Sequence, residues 1–334
     1  MKFNYIIALA LVFTSCTEEA TLEVLRGEAF GTSYMIQYYN SADLKVEKGI
    51  DSVIYAVNRS VSTYMPNSDI SKINRGDTTV VVDPIFKEVF RISKIVHKNS
   101  NGFFDPTVGV LRNAYGFGDS NPVLDMDQKV IDSLMKFVGL DKVSIAKNGT
   151  ILKEYPQIYF DFNAVAKGYA IDCLGRYLES MGVRNYLIEL GGEILAKGRN
   201  SSSQQPWKVG IEEVDSQLDT RSYQVVIALE DRAMASSGNY RKYRIDSISG
   251  KKYVHTINPL TGSAEQSNVT SATVVMSTCG EADAYATALM ALGLERSKQL
   301  LNETTGIEAY LTFNDSLGNP QVFMTEDFKK LLID

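Results

Sequence analysis

Histidine is nearly missing from this chain: 334 residues carry two, together with three cysteines and a single tryptophan. With no CxxC pair, so few ligands exclude a Cys/His zinc constellation. The common nucleotide and hydrolase signatures are missing as well. There is no GxxxxGK[ST] loop, no GxGxxG opening a helix after a strand and no GxSxG elbow, so any nucleotide chemistry must use other means. No block of Lys and Arg runs long enough to track phosphates, and the formal charge is −6, which argues against nucleic acid as a partner. Low-complexity tracts and fixed-period repeats are absent. The best linker candidate, the Ser/Gln run at 201–205, is short enough to be a surface loop, so 22–334 is expected to form one domain. An apolar content of 44% suits a soluble domain with a substantial core.

The first sixteen residues, MKFNYIIALALVFTSC, differ from the rest. One Lys precedes an apolar run too short to span a bilayer, and small residues lead to Cys16, the anatomy of a secretory signal. A Cys in that place resembles a bacterial lipobox, although Phe13 stands where Leu is usual. The reading is a lipoprotein signal over 1–15, lipidation of Cys16, a tether over 16–21 and a lipid-anchored protein on the periplasmic side of a bacterial inner membrane. An ordinary signal cut nearby, or an uncleaved anchor, is the alternative. Cys173 and Cys279 then remain, and both read as free thiols within helices.

Along the mature chain, hydrophobic periodicity predicts strand over 22–39 broken by Gly27 and Gly31, then helices over 44–61 and 84–99, the second capped by Asp83 with Pro84 in its first turn. Residues 103–117 read as a loop, and 141–160 as short strands and turns. A helix over 164–181 ends at Gly182, followed by strands over 185–190 and 193–197. Further strands are expected over 207–211, 224–229, 252–257 and 269–276, then a helix over 282–293 and a helix–strand–strand–helix tail. Hairpin connections without βαβ alternation give α+β, a largely antiparallel sheet core with flanking helices.

Three segments carry candidate chemistry. In DFNAVAKGYA (161–170) an Asp closes a strand just before a helix rich in small residues, so Asp161, free backbone groups and Lys167 gather at one junction. A simple helix cap with a solvated lysine would read the same. His255 stands where a strand runs into a Pro/Gly turn, a usual place for a proton-transfer group, although a lone His is more often structural. In CGEADAYATALMALG (279–293), Asp283 and Thr287 share one face of an apolar helix. They are either hard-oxygen ligands or a dipole-favoured acid and a back-bonded hydroxyl.

Taken together these segments resemble the ApbE family of flavin transferases. The motifs FGTSY (30–34), STYMPNSDIS (62–71), FDPTVG (104–109), DFNAVAKGY (161–169), ELGGE (189–193), SSGNY (236–240), HTINPLTG (255–262) and EADAYAT (281–287) come in the family's order over nearly the whole mature chain. The resemblance implies a fold related to the T-fold, with FAD as substrate and Mg²⁺ as cofactor. It implies transfer of FMN onto a Thr or Ser hydroxyl of an acceptor protein, with release of AMP. By that resemblance Asp283, Thr287 and the Ala164 carbonyl hold the metal, and His255 takes the acceptor's proton. Asp161, Lys167, the Asp105-Pro106-Thr107 loop and the backbone near Ile257 contact FAD, while Phe30 and Tyr64 face the flavin. Implied acceptors are flavinylated subunits of ion-pumping NADH:quinone or ferredoxin oxidoreductases. Phe30 replaces a customary Met, Asn258 a common Asp and Leu260 a frequent basic residue. The motifs leave open a metal-dependent FAD pyrophosphatase or a flavin-binding lipoprotein without turnover.

Overall fold

The strand expected over 22–39 is two strands, Thr21–Ala29 and Thr32–Asn40, paired antiparallel with Ala29 opposite Thr32. Phe30 and Gly31, at φ 53° and 75°, form the two-residue turn. Two positive φ angles in succession match the right-handed twist of a hairpin, and for Phe30 they are a strained conformation. Gly27 interrupts nothing; it lies opposite Tyr34, whose ring fills the space a side chain there would need. The computed structural model describes residues 21–40, 44–118, 122–213, 222–239, 243–245 and 250–333. Cys16, the signal, the tether up to residue 20, and Tyr240 of the SSGNY motif lie outside the described residues. No helix among the described residues is long and apolar enough to cross a membrane.

The hairpin opens an antiparallel sheet of eight described strands. Its neighbours follow chain order: Thr21–Ala29, Thr32–Asn40, Tyr186–Leu190, Glu193–Lys197, Arg232–Gly238, Val269–Met276, Glu308–Asn314 and Pro320–Met324. Alternation decides the faces. Tyr186, Ile188 and Leu190 point to one layer of core, while Leu187 points to the other. On the first face lie two long helices, Asn163–Ser180 and Cys279–Leu292, called below the lysine helix and the aspartate helix. The second face is closed by the hairpin of Trp207–Glu212 with Tyr223–Leu229 and by the short helix Glu326–Lys329, through Trp207, Ile227 and Phe328. Helices Glu47–Val61 and Pro84–Asn99 pack outside the two long ones, and Asp83 caps the second through the Phe86 amide, as expected.

The α+β architecture with flanking helices agrees with the sequence reading; several local elements do not. Residues 103–117, read as loop, contain the helix Gly109–Ala114, and the helices Asp69–Asn74 and Gln128–Met135 were not assigned from the sequence. The strand expected over 252–257 stops at Val254. Arg232–Gly238 was not expected as a strand, because RAMASSG has no β-branched or aromatic residue. It lies between Glu193–Lys197 and Val269–Met276, where small side chains let the aspartate helix settle on the sheet. Packing overrides propensity there.

The lysine and aspartate helices touch almost backbone to backbone. A Cβ at Gly168 would collide with the Cys279 carbonyl oxygen and crowd the Asp283 Cβ. Gly168→Ala should therefore cost about 1–3 kcal/mol, the scale of overpacking a close contact. Denaturant unfolding measures this, and an unchanged midpoint would show that the helices can separate freely. Cys173 and Cys279 are both free thiols, the second fully buried.

Candidate active site

Asp283 is buried in the second turn of the aspartate helix, and the site grows outward from it. Its Oδ2 accepts a hydrogen bond from the Gly168 amide at 3.1 Å. Helical geometry would direct that amide to the Ala164 carbonyl, four residues back. A carbonyl oxygen has two lone pairs, so the Ala164 oxygen keeps acceptor capacity beyond one helical bond. Beside Gly168, the Lys167 ammonium donates to Glu193 Oε1 at 2.5 Å. Glu193 is buried at the start of its strand, and its Oε2 has no hydrogen-bond partner. Burial raises the pKa of both Glu193 and Asp283, and Lys167 pulls each back. Burial works against the charge on Lys167, yet Glu193 and Asp283 together hold the ammonium above its ordinary value. One cation thus serves two buried carboxyls.

One turn further, the Thr287 hydroxyl lies 3.2 Å from Ser237 Oγ at the end of the Arg232–Gly238 strand. Two residues on, Asn239 Oδ1 accepts the Thr256 hydroxyl at 2.9 Å. His255, next to Thr256, occupies the half-buried bend just after Lys252–Val254. A bridge of short polar side chains therefore ties the segment of the histidine to the helix of the aspartate.

A second grouping surrounds Asp161. Asn74 grips the Phe160 backbone with both ends of its amide, each at 2.8 Å, and the Asp161 amide donates to the Pro106 carbonyl at 2.7 Å. So held, Asp161 accepts the Asn163 amide at 2.9 Å and pairs with Arg112 Nε at 3.0 Å. It starts the lysine helix and anchors an arginine at once. The Arg112 guanidinium donates to the Tyr64 hydroxyl at 2.9 Å and lies over its ring. Tyr64 is 64% exposed and borders a cleft of about 430 Å³ lined also by Thr63, Asn74, Arg75 and Tyr159.

The FDPTVG loop is braced from within. Asp105 is buried and accepts the Thr107 amide at 2.8 Å, the Thr107 hydroxyl at 2.6 Å and the Leu140 amide at 2.9 Å. Thr107 Oγ1 in turn accepts the Gly139 amide at 2.7 Å. Their side chains shape the loop, and the Pro106 carbonyl is what reaches Asp161. Ile257 is buried in a cluster with Tyr115 and Tyr253, so its backbone is the part that can serve a ligand. Phe30 packs against both core layers on the helix side, and its turn adjoins Gly191, which leads to Glu193.

Asp161, just before the lysine helix, and Lys167, on it, thus belong to different groupings, while Lys167, Asp283 and Thr287 lie together and Ala164 sits one turn before Gly168. Sequence reading assigned no role to Glu193, Arg112, Ser237 or Asp172. The signal for Asp172 was available: like Asp283, it is an acid within an apolar, small-residue helix. Its Oδ1 and Oδ2 accept the Cys279 and Gly280 amides at 2.8 and 2.9 Å. Burial pushes its carboxyl from 3.8 up to about 6 against those two bonds. Because the folded value is the higher one, this group's contribution to stability is full below about pH 4 and lost as pH rises through 6. Asp172→Asn should flatten the fall in stability between pH 4 and 7 by about 3 kcal/mol at most. Denaturant midpoints taken across that range test it, and parallel wild-type and variant curves would refute it.

The donors at Asp283, Thr287 and Ala164 are a carboxylate, a hydroxyl and a carbonyl, a set suited to a hard cation. Among the described residues no group of three or more His, Cys, Asp or Glu side chains is placed to hold a metal ion. The ApbE family model matches residues 30–311. This chain belongs to the ApbE family. The FAD:protein FMN transferase of Haemophilus influenzae is 32% identical, over 97% of this chain and 96% of that one. The Vibrio cholerae enzyme of the same name is 34% identical, over 88% and 89%. Among solved structures, the flavin transferase ApbE from Vibrio cholerae superposes with a TM-score of 0.82 at 31% identity, covering 94% of this chain and all of that one. The apo flavinyl transferase ApbE of Pseudomonas stutzeri gives 0.81 at 26%, covering 94% and 97%.

Proposed function

We propose that this chain transfers the FMN half of FAD to a Thr or Ser hydroxyl of an acceptor protein outside the cytoplasm and releases AMP, with Mg²⁺ as cofactor. The carrying observation is the buried Asp283, set between Lys167 and the Gly168 amide and linked through Thr287, Ser237 and Asn239 to the segment of His255. Charge neutralisation for a pyrophosphate and a base for a hydroxyl meet there. The names of the relatives supply the flavin.

His255 takes the proton of the acceptor hydroxyl as its oxygen forms a bond to the FMN phosphorus. The bond from that phosphorus to the bridging oxygen breaks, and AMP leaves with the electron pair. Lys167 neutralises charge on the phosphates while Glu193 fixes its position. Asp283, Thr287 and the Ala164 carbonyl would hold Mg²⁺, which supplies further neutralisation on the pyrophosphate oxygens. Tyr64 and Phe30 offer aromatic surface to the flat flavin. The FDPTVG loop and the Ile257 region contribute backbone contacts to FAD, because their side chains are engaged elsewhere.

The test is to incubate the soluble chain starting at Leu22 with FAD, Mg²⁺ and a candidate acceptor domain, such as a flavinylated subunit of an ion-pumping NADH:quinone oxidoreductase. Fluorescent flavin that survives denaturation on the acceptor is expected. Steady release of FMN and AMP without labelled acceptor would identify a pyrophosphatase, and intact FAD a binding protein.

The membrane anchor is part of the same proposal, carried by Cys16 after the apolar run. Cys16→Ser should abolish labelling by radioactive palmitate and move the protein from the membrane to the soluble fraction. Unchanged labelling would remove the lipobox reading.

A further inference from the structure

Thr278 begins the aspartate helix in the N-cap position, but its side chain makes no capping bond. Its hydroxyl is turned to Glu281 Oε2 at 2.9 Å. The first amides of that helix are instead taken by a residue from another helix, the buried Asp172, at 2.8 Å to Cys279 and 2.9 Å to Gly280. A helix capped by its own residue can slide as a unit. A helix capped from its neighbour cannot slide without breaking charge-assisted bonds in a buried place.

The spacing shows what this clamp controls. Four residues toward the N-terminus from Asp172 is Gly168, and four residues toward the C-terminus from Cys279 is Asp283. Gly168 donates to Asp283 at 3.1 Å. The two contacts are rungs of one antiparallel ladder, each displaced by about one helical turn. Gly168 and Gly280 keep the ladder narrow, since a Cβ at Gly168 would strike the Cys279 carbonyl and one at Gly280 would press within 3.3 Å of Asp172 Oδ2. A shift at the first rung is therefore transmitted to the second, where Asp283 accepts the Gly168 amide.

We infer that Asp172 is a positioning residue, whose carboxylate sets the axial register of the aspartate helix against the lysine helix and thereby assembles the cation site at Asp283. The inference rests on the metal reading above, but its ladder can be tested without it. Asp172→Asn keeps the shape while replacing one acceptor with a donor that opposes an amide. Asp172→Glu keeps the charge and both acceptors but adds one methylene, pushing the helix along its axis.

The experiment follows two signals on the purified soluble chain and both variants: Mn²⁺ affinity by titration calorimetry, and hydrogen exchange at the Gly168 amide. FAD affinity in chelator serves as control. Both variants should unfold cooperatively and bind FAD within about twofold of wild type. Both should exchange the Gly168 amide at least tenfold faster and bind Mn²⁺ at least tenfold more weakly. The glutamate variant is the sharper case, because a residue that only stabilised the helix end would tolerate it. Wild-type exchange at Gly168 in both variants overturns the inference. So does unchanged Mn²⁺ binding in either variant. Should the wild-type chain take up no Mn²⁺, the metal reading fails, and Gly168 exchange alone still decides whether Asp172 sets the register. If Asp172→Asn does not fold, the glutamate variant carries the same decision.

Discussion

Asp283→Asn should reduce flavin transfer by about three orders of magnitude, the scale expected when several kcal/mol of phosphoryl-charge stabilisation is lost. The asparagine keeps the shape of the side chain and can still accept the Gly168 amide, so the two helices stay together. It also removes a buried carboxyl whose charge the surroundings already oppose. The protein is therefore expected to fold at least as well as wild type, which separates a chemical from a structural loss. Two measurements check this: single-turnover transfer at saturating Mg²⁺, and Mn²⁺ affinity of the variant. Activity within tenfold of wild type would remove Asp283 from the metal site.

His255→Ala should slow transfer by about 10²- to 10⁴-fold, the usual contribution of a general base, while FAD affinity stays nearly unchanged. The separation of binding from rate follows from where the residue sits. Its bend is tied to the rest of the site through Thr256 and Asn239, both outside the substitution. If FAD binding falls as far as the rate does, the histidine holds the turn and another group takes the proton.

Much of this site could be read from residues alone, and the reason is physical. Asp283 and Thr287 stand out because a helix this rich in Ala, Leu and Met, and buried along most of its length, has little packing use for them. Asp161 and His255 stand out because strand ends collect chemistry. Glu193 was placed only at the start of a strand and in the ELGGE motif; the fold is what brings it to Lys167. Arg112 could not have been found, because its partners Asp161 and Tyr64 are far away in the chain and come near it only through the fold. The same limit applied to backbone structure. Periodicity revealed the long amphipathic helices, but it missed Arg232–Gly238, whose small residues are explained by the helix above them and not by any preference of their own. The Asp105 loop shows the complementary case. The family resemblance implies a ligand contact, while hydrogen bonds to Thr107 and Leu140 show side chains occupied in holding the loop.

The sheet's neighbours follow one another in chain order, and this has a consequence for when the enzyme begins to exist. Six strands, ending with Val269–Met276, are laid down before the aspartate helix is made, and the lysine helix comes before four of them. The chain can assemble its sheet by local accretion from one edge, a route that avoids long searches. Asp283 and Gly168, however, are separated by 115 residues and meet only near the end of that process. A half-made molecule therefore has most of its framework but not yet the contact between Asp283 and Gly168. Competence should arrive in a single late step, and pulse-labelled exchange during refolding should show Gly168 protected after the amides of the first hairpin.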